Sequence, residues 1–128
     1  MRAALFDIDG TLTTDNVWKG LMDYRARRGE RRWTHAAFVG LHYPLLLPRA
    51  LRLLSEADFR RWWTQHLTWY FRGDTPAQVA AMAAWVAREA TAPMARPDIL
   101  ARLREHLAAG DTVALVSGAP QPFVDAIA

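Results

Sequence analysis

The feature that most constrains this chain is a change of hydrophobic period. Residues 2–8, RAALFDI, form a short apolar run without strict alternation, and residues 112–118, TVALVSG, form a second. Runs of this length and pattern suit parallel strands buried on both faces. Between them, from residue 15 to about residue 92, apolar side chains return at helical spacing. The expected fold class is therefore α/β, with an all-helical stretch inserted after the first strand. At 128 residues the chain is long enough for one hydrophobic core and too short for two ordinary domains.

Helix signals punctuate the insert. Val17, Trp18, Leu21 and Met22 recur on one face after a candidate cap at Asp15, and Gly29 offers a stop. The segment WTHAAFVGLHYPLLLP is expected to be helical, with Pro44 kinking or ending it. At Ser55 the string SEAD reads as a capping box, and Phe59, Trp62, Trp63, His66, Leu67 and Tyr70 fall on one face before Gly73 closes the helix. Thr75 caps the next helix with Pro76 at its first position, and Val79, Met82, Ala83 and Val86 form its apolar stripe before Pro93. A helix from Pro97 turns Ile99, Leu100, Leu103 and Leu107 inward and ends near Gly110, and QPFVDAIA begins one more.

Composition narrows the function classes. With no cysteine, disulfide staples and thiolate metal sites are excluded. No secretory pattern opens the sequence, and the most lipid-like segment, AAFVGLHYPLLLPRALRLL, carries too many arginines and prolines for a membrane span. The expectation is a soluble, cytoplasmic protein with neither a membrane nor a nucleic acid as partner. Net charge is +3, and fifteen of the sixteen basic residues are arginine, a balance that favours anionic partners in general. In RRWWTQHLTWYF, arginines beside aromatics suit base stacking, but their shared helical stripe favours a buried core. His35, His42, His66 and His106 are scattered, with no partner at ligand spacing. The arginines of YRARRGERR read as a solvated helix end.

The chemistry-bearing string is LFDIDGTLT, residues 5–13. Two carboxylates one residue apart, behind an apolar strand and before a glycine, call for an external cation or phosphate to offset them. If the two strands are parallel neighbours, their C-terminal ends bring Asp7 and Asp9 near Ser117, at the edge where open α/β sheets bind ligands. One carboxylate can attack phosphorus while the other manages protons. Gly10 lets the backbone approach a ligand, Thr11 hydrogen-bonds or caps the turn, and Ser117 and Gly118 offer a hydroxyl and an open amide.

DIDGT, with LVSGAP about a hundred residues later, resembles motifs one and two of the haloacid dehalogenase superfamily, in its phosphoserine-phosphatase-like branch. The helical insert is similar to the cap of that branch, and the likeness spans the chain. The resemblance implies a Rossmann-like parallel-sheet core in residues 1–14 and 93–128, incomplete here, with a cap in residues 15–92. It implies a phosphomonoester hydrolase in which Asp7 is the nucleophile forming an aspartyl-phosphate and Asp9 the general acid and base. Gly10, Thr11, Ser117 and Gly118 would hold the phosphate of a small phosphorylated substrate. Mg²⁺ would sit on the Asp7 carboxylate and the Asp9 backbone carbonyl, an oxygen-only set that suits this hard cation.

The resemblance also implies a lysine and an acidic GDS-like motif downstream of the second strand, which the sequence to Ala128 does not supply. Lys19, the sole lysine, lies in the wrong region. Where phosphoserine phosphatases place a glutamate nine positions after the nucleophile, this chain has Asn16, so phosphoserine is one candidate among several small phosphomonoesters. A second reading follows: a catalytically incomplete, truncated form that acts as a binding or homo-oligomerising module, since a two-strand core leaves edges uncovered.

Overall fold

The computed structural model describes residues 2–128. Contacts divide the chain into two compact units, one comprising residues up to Tyr24 together with Thr75–Ala128, the other Arg25–Asp74. The boundaries expected above followed hydrophobic period and resemblance, whereas contacts group the helices flanking the insert with the sheet.

In the first unit, β1 (Ala3–Asp7) and β2 (Thr112–Val116) pair in parallel, with Ala3 opposite Thr112 and Asp7 opposite Val116. Both strands alternate exposed and half-buried residues. This departs from the expected burial on both faces. The helix Pro97–Ala108 covers only the side bearing Phe6, whereas Leu5 is 70% and Val116 51% exposed on the other. A purely apolar run is what a doubly covered strand requires, and here only one cover is present.

Helix α1 (Val17–Arg27) begins behind Asn16, whose Oδ1 accepts the Lys19 amide at 2.8 Å. The cap is therefore Asn16 rather than Asp15. Asp15 instead accepts the Asn16 amide and pairs with the Lys19 ammonium at 2.6 Å. Either residue type suits the role, and position decided it. The later helices of this unit are α5 (Pro76–Trp85), α6 (Pro97–Ala108) and α7 (Gln121–Ile127). Helix α5 starts in a full capping box, the Thr75 hydroxyl accepting the Gln78 amide and the Gln78 side chain accepting the Thr75 amide.

Helix α5 runs on into a π-helical turn, Val86–Thr91. Gly20 of α1 lies against it, so closely that a Cβ there would meet Val86 Cγ1 and Ala90 Cβ at 2.9 Å. Ile8, Leu12, Val17, Leu21, Met82, Ala83, Val86 and Phe123 form the core of this unit. On α6, Leu107 is 55% exposed instead of inward; the neighbouring His106 meets the Phe6 ring edge-on and bonds Asp111.

The second unit is helical throughout: α2 (Arg32–His42), a 3₁₀ turn at Tyr43–Leu45, α3 (Leu46–Ala50), α4 (Glu56–Leu67) and a closing 3₁₀ turn at Thr68–Phe71. Pro44 thus breaks one helical run into two, as its missing N–H requires. At α4 the Ser55 hydroxyl accepts the Asp58 amide, but the reciprocal half of the expected box is absent. Asp58 is a methylene shorter than glutamate, and its carboxylate takes the Ser55 hydroxyl at 2.6 Å instead. Phe38, His42, Phe59, Leu67 and Tyr70 are buried, while Trp62, expected in the stripe, is 56% exposed.

Two polar features hold this unit. Arg25 and Asp74, its first and last residues, are both almost fully buried and form an ion pair, with Arg31 adding a second bond to Asp74 at 3.0 Å. The Arg25 guanidinium also donates to the Tyr70 carbonyl at 2.9 Å. The second is a histidine pair that the sequence spacing did not reveal. His42 Nε2 lies 2.5 Å from His66 Nδ1, because the packing of α2 on α4 joins positions 24 apart. His42 Nδ1 bonds the Phe38 carbonyl at 2.8 Å and must carry a proton there. With both rings neutral, His66 Nδ1 is then the donor. Burial, then the neighbouring His42, holds His66 below the usual imidazole range.

Candidate active site

The candidate residues all lie in the first unit, at the C-terminal ends of the two strands. After Asp7 the backbone turns widely: the Leu12 amide bonds the Asp7 carbonyl and the Thr13 amide the Ile8 carbonyl, each at 3.1 Å. The turn is tied to residues 94–96, since the Thr14 amide reaches the Met94 carbonyl at 2.9 Å and the Arg96 amide reaches the Leu12 carbonyl at 2.8 Å. Buried Thr13 adds a 2.6 Å bond from its hydroxyl to the Asp15 carbonyl. Gly10 takes φ +80° inside this frame, a conformation few side chains tolerate, and open space surrounds it.

That turn separates the two carboxylates by environment. Asp7 is exposed, and its Oδ2 accepts the Thr11 hydroxyl at 3.1 Å. Asp9 is half-buried: its Oδ1 accepts the Val17 amide, the first of α1, at 2.8 Å, and its Oδ2 faces the Ser117 hydroxyl at 3.4 Å. Burial raises the Asp9 carboxyl above the usual aspartate range, opposed by the Val17 amide and reinforced by the charge on Asp7. A proton on Asp9 is thereby easier to keep than on a solvated aspartate.

From the second strand, the Ser117 oxygen accepts the Ala119 amide at 3.0 Å, which fixes the turn, and Gly118 faces open space. The structure thus brings Asp9 and Ser117 together across 108 residues, with Asp7 one register step from them at the end of β1. The Thr11 hydroxyl is directed to Asp7, so Thr11 has only its backbone to offer a further anion. The Val17 amide is the partner that sequence reasoning missed. Its signal was present, since a cap at residue 16 places free helix amides directly after it.

Lys19 does not enter this group; its ammonium is spent on Asp15. Among the described residues no cluster of three or more His, Asp or Glu suits a metal. The donors available to a hard cation are the exposed Asp7 carboxylate and the Asp9 carbonyl. Two protein oxygens fit Mg²⁺ as a sparse site, because that ion keeps several waters and often relies on substrate phosphate for the rest. A mainly apolar cavity of about 500 Å³, lined by Leu12, Ala84, Arg88, Thr91, Leu100 and Ile127 among others, includes none of Asp7, Asp9 and Ser117.

No curated protein and no solved structure shows a significant match to the chain. No helix among the described residues is long and apolar enough to cross a membrane. A family match does exist, and it spans residues 4–128, including both strand ends that carry the carboxylates and the serine. Over nearly its whole length, then, the chain belongs to the haloacid dehalogenase-like hydrolases.

Proposed function

We propose that the hydrolase chemistry of this chain is phosphomonoester hydrolysis through an aspartyl-phosphate. A carboxylate oxygen of Asp7 attacks phosphorus, and the P–O bond to the alcohol breaks. Asp9 donates its proton to the departing alkoxide, then removes one from the water that attacks the phosphorus of the Asp7 acyl phosphate. That second step releases inorganic phosphate and restores both carboxyl groups. Ser117, with the open backbone at Gly10, Thr11 and Gly118, holds the phosphoryl oxygens. Mg²⁺ held by the Asp7 carboxylate and the Asp9 carbonyl would offset the repulsion between nucleophile and phosphate dianion. The substrate class is a small phosphorylated metabolite.

The observation that carries this reading is the split in environment between the two carboxylates, with Asp7 exposed and Asp9 half-buried against Ser117 and the α1 amide. A general acid must hold a proton, so the burial of Asp9 supports it as the acid and leaves the exposed Asp7 as the nucleophile. The test is phosphate release from an aryl phosphate by the 128-residue chain with Mg²⁺, in parallel with Asp7→Asn. Release that Asp7→Asn leaves unchanged rules the mechanism out.

A second reading, a binding or oligomerising module without turnover, is favoured by the engagement of the sole lysine with Asp15 and by the bare face of the sheet. It expects no phosphate release from a monodisperse or self-associated chain whose Asp7-dependent phosphate binding persists.

A further inference from the structure

One segment of the helical unit combines two properties that soluble surfaces keep apart. From residue 41 to residue 53 the sequence is LHYPLLLPRALRL, and its large apolar side chains are mostly outside the core. Leu47 is 66% exposed, Leu51 61% and Leu53 78%, with Leu41 and Tyr43 each at 53%. Leu47 and Leu51 follow one another at four-residue spacing along α3 (Leu46–Ala50) and its end, which places them on one side of it. Contiguous apolar exposure of this kind marks an interaction surface.

The charge around it is one-sided. Between Glu30 and Glu56 there is no acidic residue, and Arg31, Arg32, Arg49 and Arg52 lie in that interval. Glu56 is shared between Arg49, which grips it through two nitrogens at 2.7 and 3.1 Å, and Arg60 at 2.9 Å. Arg49 also lies over the Phe59 ring, 4.6 Å from its centre, which fixes the end of α3 to α4. Arg52 and Arg61 are exposed, and over residues 49–61 four arginines (Arg49, Arg52, Arg60, Arg61) stand against two carboxylates, Glu56 and Asp58, so the net balance of this stretch is positive.

We propose that residues 41–53 form a peripheral docking surface for a bilayer carrying anionic lipids, with the leucines entering the headgroup–acyl boundary and the arginines meeting the lipid phosphates. A second copy of the chain fits less well, because a two-fold contact through this face would bring two net-positive surfaces together. The segment is too short and too broken by Pro44 and Pro48 to cross a membrane, so it lies on the surface. Sequence patterning weighed this segment only as a span and therefore set a membrane partner aside. Exposure of the leucines is what changes the inference. It does not depend on the chemistry assigned to Asp7.

The test is co-sedimentation of the full chain with vesicles of phosphatidylcholine alone and of phosphatidylcholine mixed with phosphatidylglycerol. Binding to the mixed vesicles is expected, weakening as salt rises from about 0.1 to about 1 M and the screening length falls from roughly 10 to roughly 3 Å. Each of Leu47→Ser, Leu51→Ser and Leu53→Ser is expected to weaken partitioning about tenfold with the fold retained, since these side chains are exposed. Arg52→Glu, which removes no apolar contact, is expected to weaken binding to the mixed vesicles several-fold. Failure to bind either vesicle, or binding that the leucine substitutions leave unchanged, overturns the proposal. Equal affinity for both vesicle types overturns the anionic assignment. An oligomer without vesicle binding, dispersed by the same leucine substitutions, would make this a protein–protein face instead.

Discussion

Two helical glycines of equal intrinsic propensity are expected to respond differently to the same substitution. Replacing glycine with alanine inside a helix contributes up to about 1 kcal/mol, because alanine costs less backbone entropy. Gly40, in α2, has nothing within 4 Å of the position a Cβ would take, so Gly40→Ala should stabilise by about 0.5–1 kcal/mol. Gly20, in α1, would place its Cβ 2.9 Å from Val86 Cγ1 and 2.9 Å from Ala90 Cβ. Carbon atoms settle at roughly 3.5–4.0 Å, so α1 and the π-helical turn must separate by about half an ångström or more. Overpacking of this kind costs about 1–3 kcal/mol, which cancels or exceeds the propensity gain. Gly20→Ala should therefore be neutral to about 2 kcal/mol destabilising. Urea titration followed by far-UV circular dichroism measures both variants. A Gly20→Ala midpoint raised as much as that of Gly40→Ala would show that the close approach of α1 to the π-turn is not a real constraint. The same displacement draws the Val17 amide from Asp9, so phosphate release, where present, should fall further than stability alone explains.

Other outcomes follow from single features. Asp74→Ala leaves Arg25 the Glu30 carboxylate, at 2.5 Å, and takes a bond from Arg31, so it should destabilise the helical unit by about 1–3 kcal/mol, read from the loss of tryptophan fluorescence contrast in urea. Thr75→Ala removes one half of a capping box and should cost about 1 kcal/mol by the same titration. Burial pushes the Tyr70 phenol up to about 12 from its ordinary 10.0. The folded state thus holds that proton more tightly than the unfolded chain. Its contribution to stability is full below about pH 10 and is lost as pH rises towards about 12, a window that tyrosinate absorbance and urea midpoints should both report. Ser117→Ala should weaken phosphate binding, measured by isothermal calorimetry with inorganic phosphate, and, by removing the acceptor of the Ala119 amide, should also cost about 1 kcal/mol in the urea titration.

The strand ends were legible in sequence because their chemistry is local: an apolar run, two aspartates and a glycine define a turn whatever surrounds it. Helix starts at Thr75 and Pro97 were legible for the same reason. What escaped was set by partners distant in sequence. The exposure of Leu5 and Val116 depends on what covers the sheet, which no strand pattern reports. His42 and His66 meet only because α2 packs on α4, and Gly20 reads as a weak helical position until Val86 and Ala90 lie against it. Leu107 kept helical spacing yet lost its inward place to His106, whose ring has both Phe6 and Asp111 to engage.

The pairing of Arg25 with Asp74 has a topological consequence. By joining the first and last residues of a fifty-residue excursion, it makes that excursion a side branch whose root is fixed independently of its content. Closure entropy grows only with the logarithm of loop length, so holding the two roots together costs little more for fifty residues than for a shorter excursion, whereas the packing of Phe38, His42 and Tyr70 is set by the branch's own content. A hydrolase scaffold furnished in this way can exchange the whole branch, and with it whatever surface the branch presents, and keep its strand-end chemistry intact.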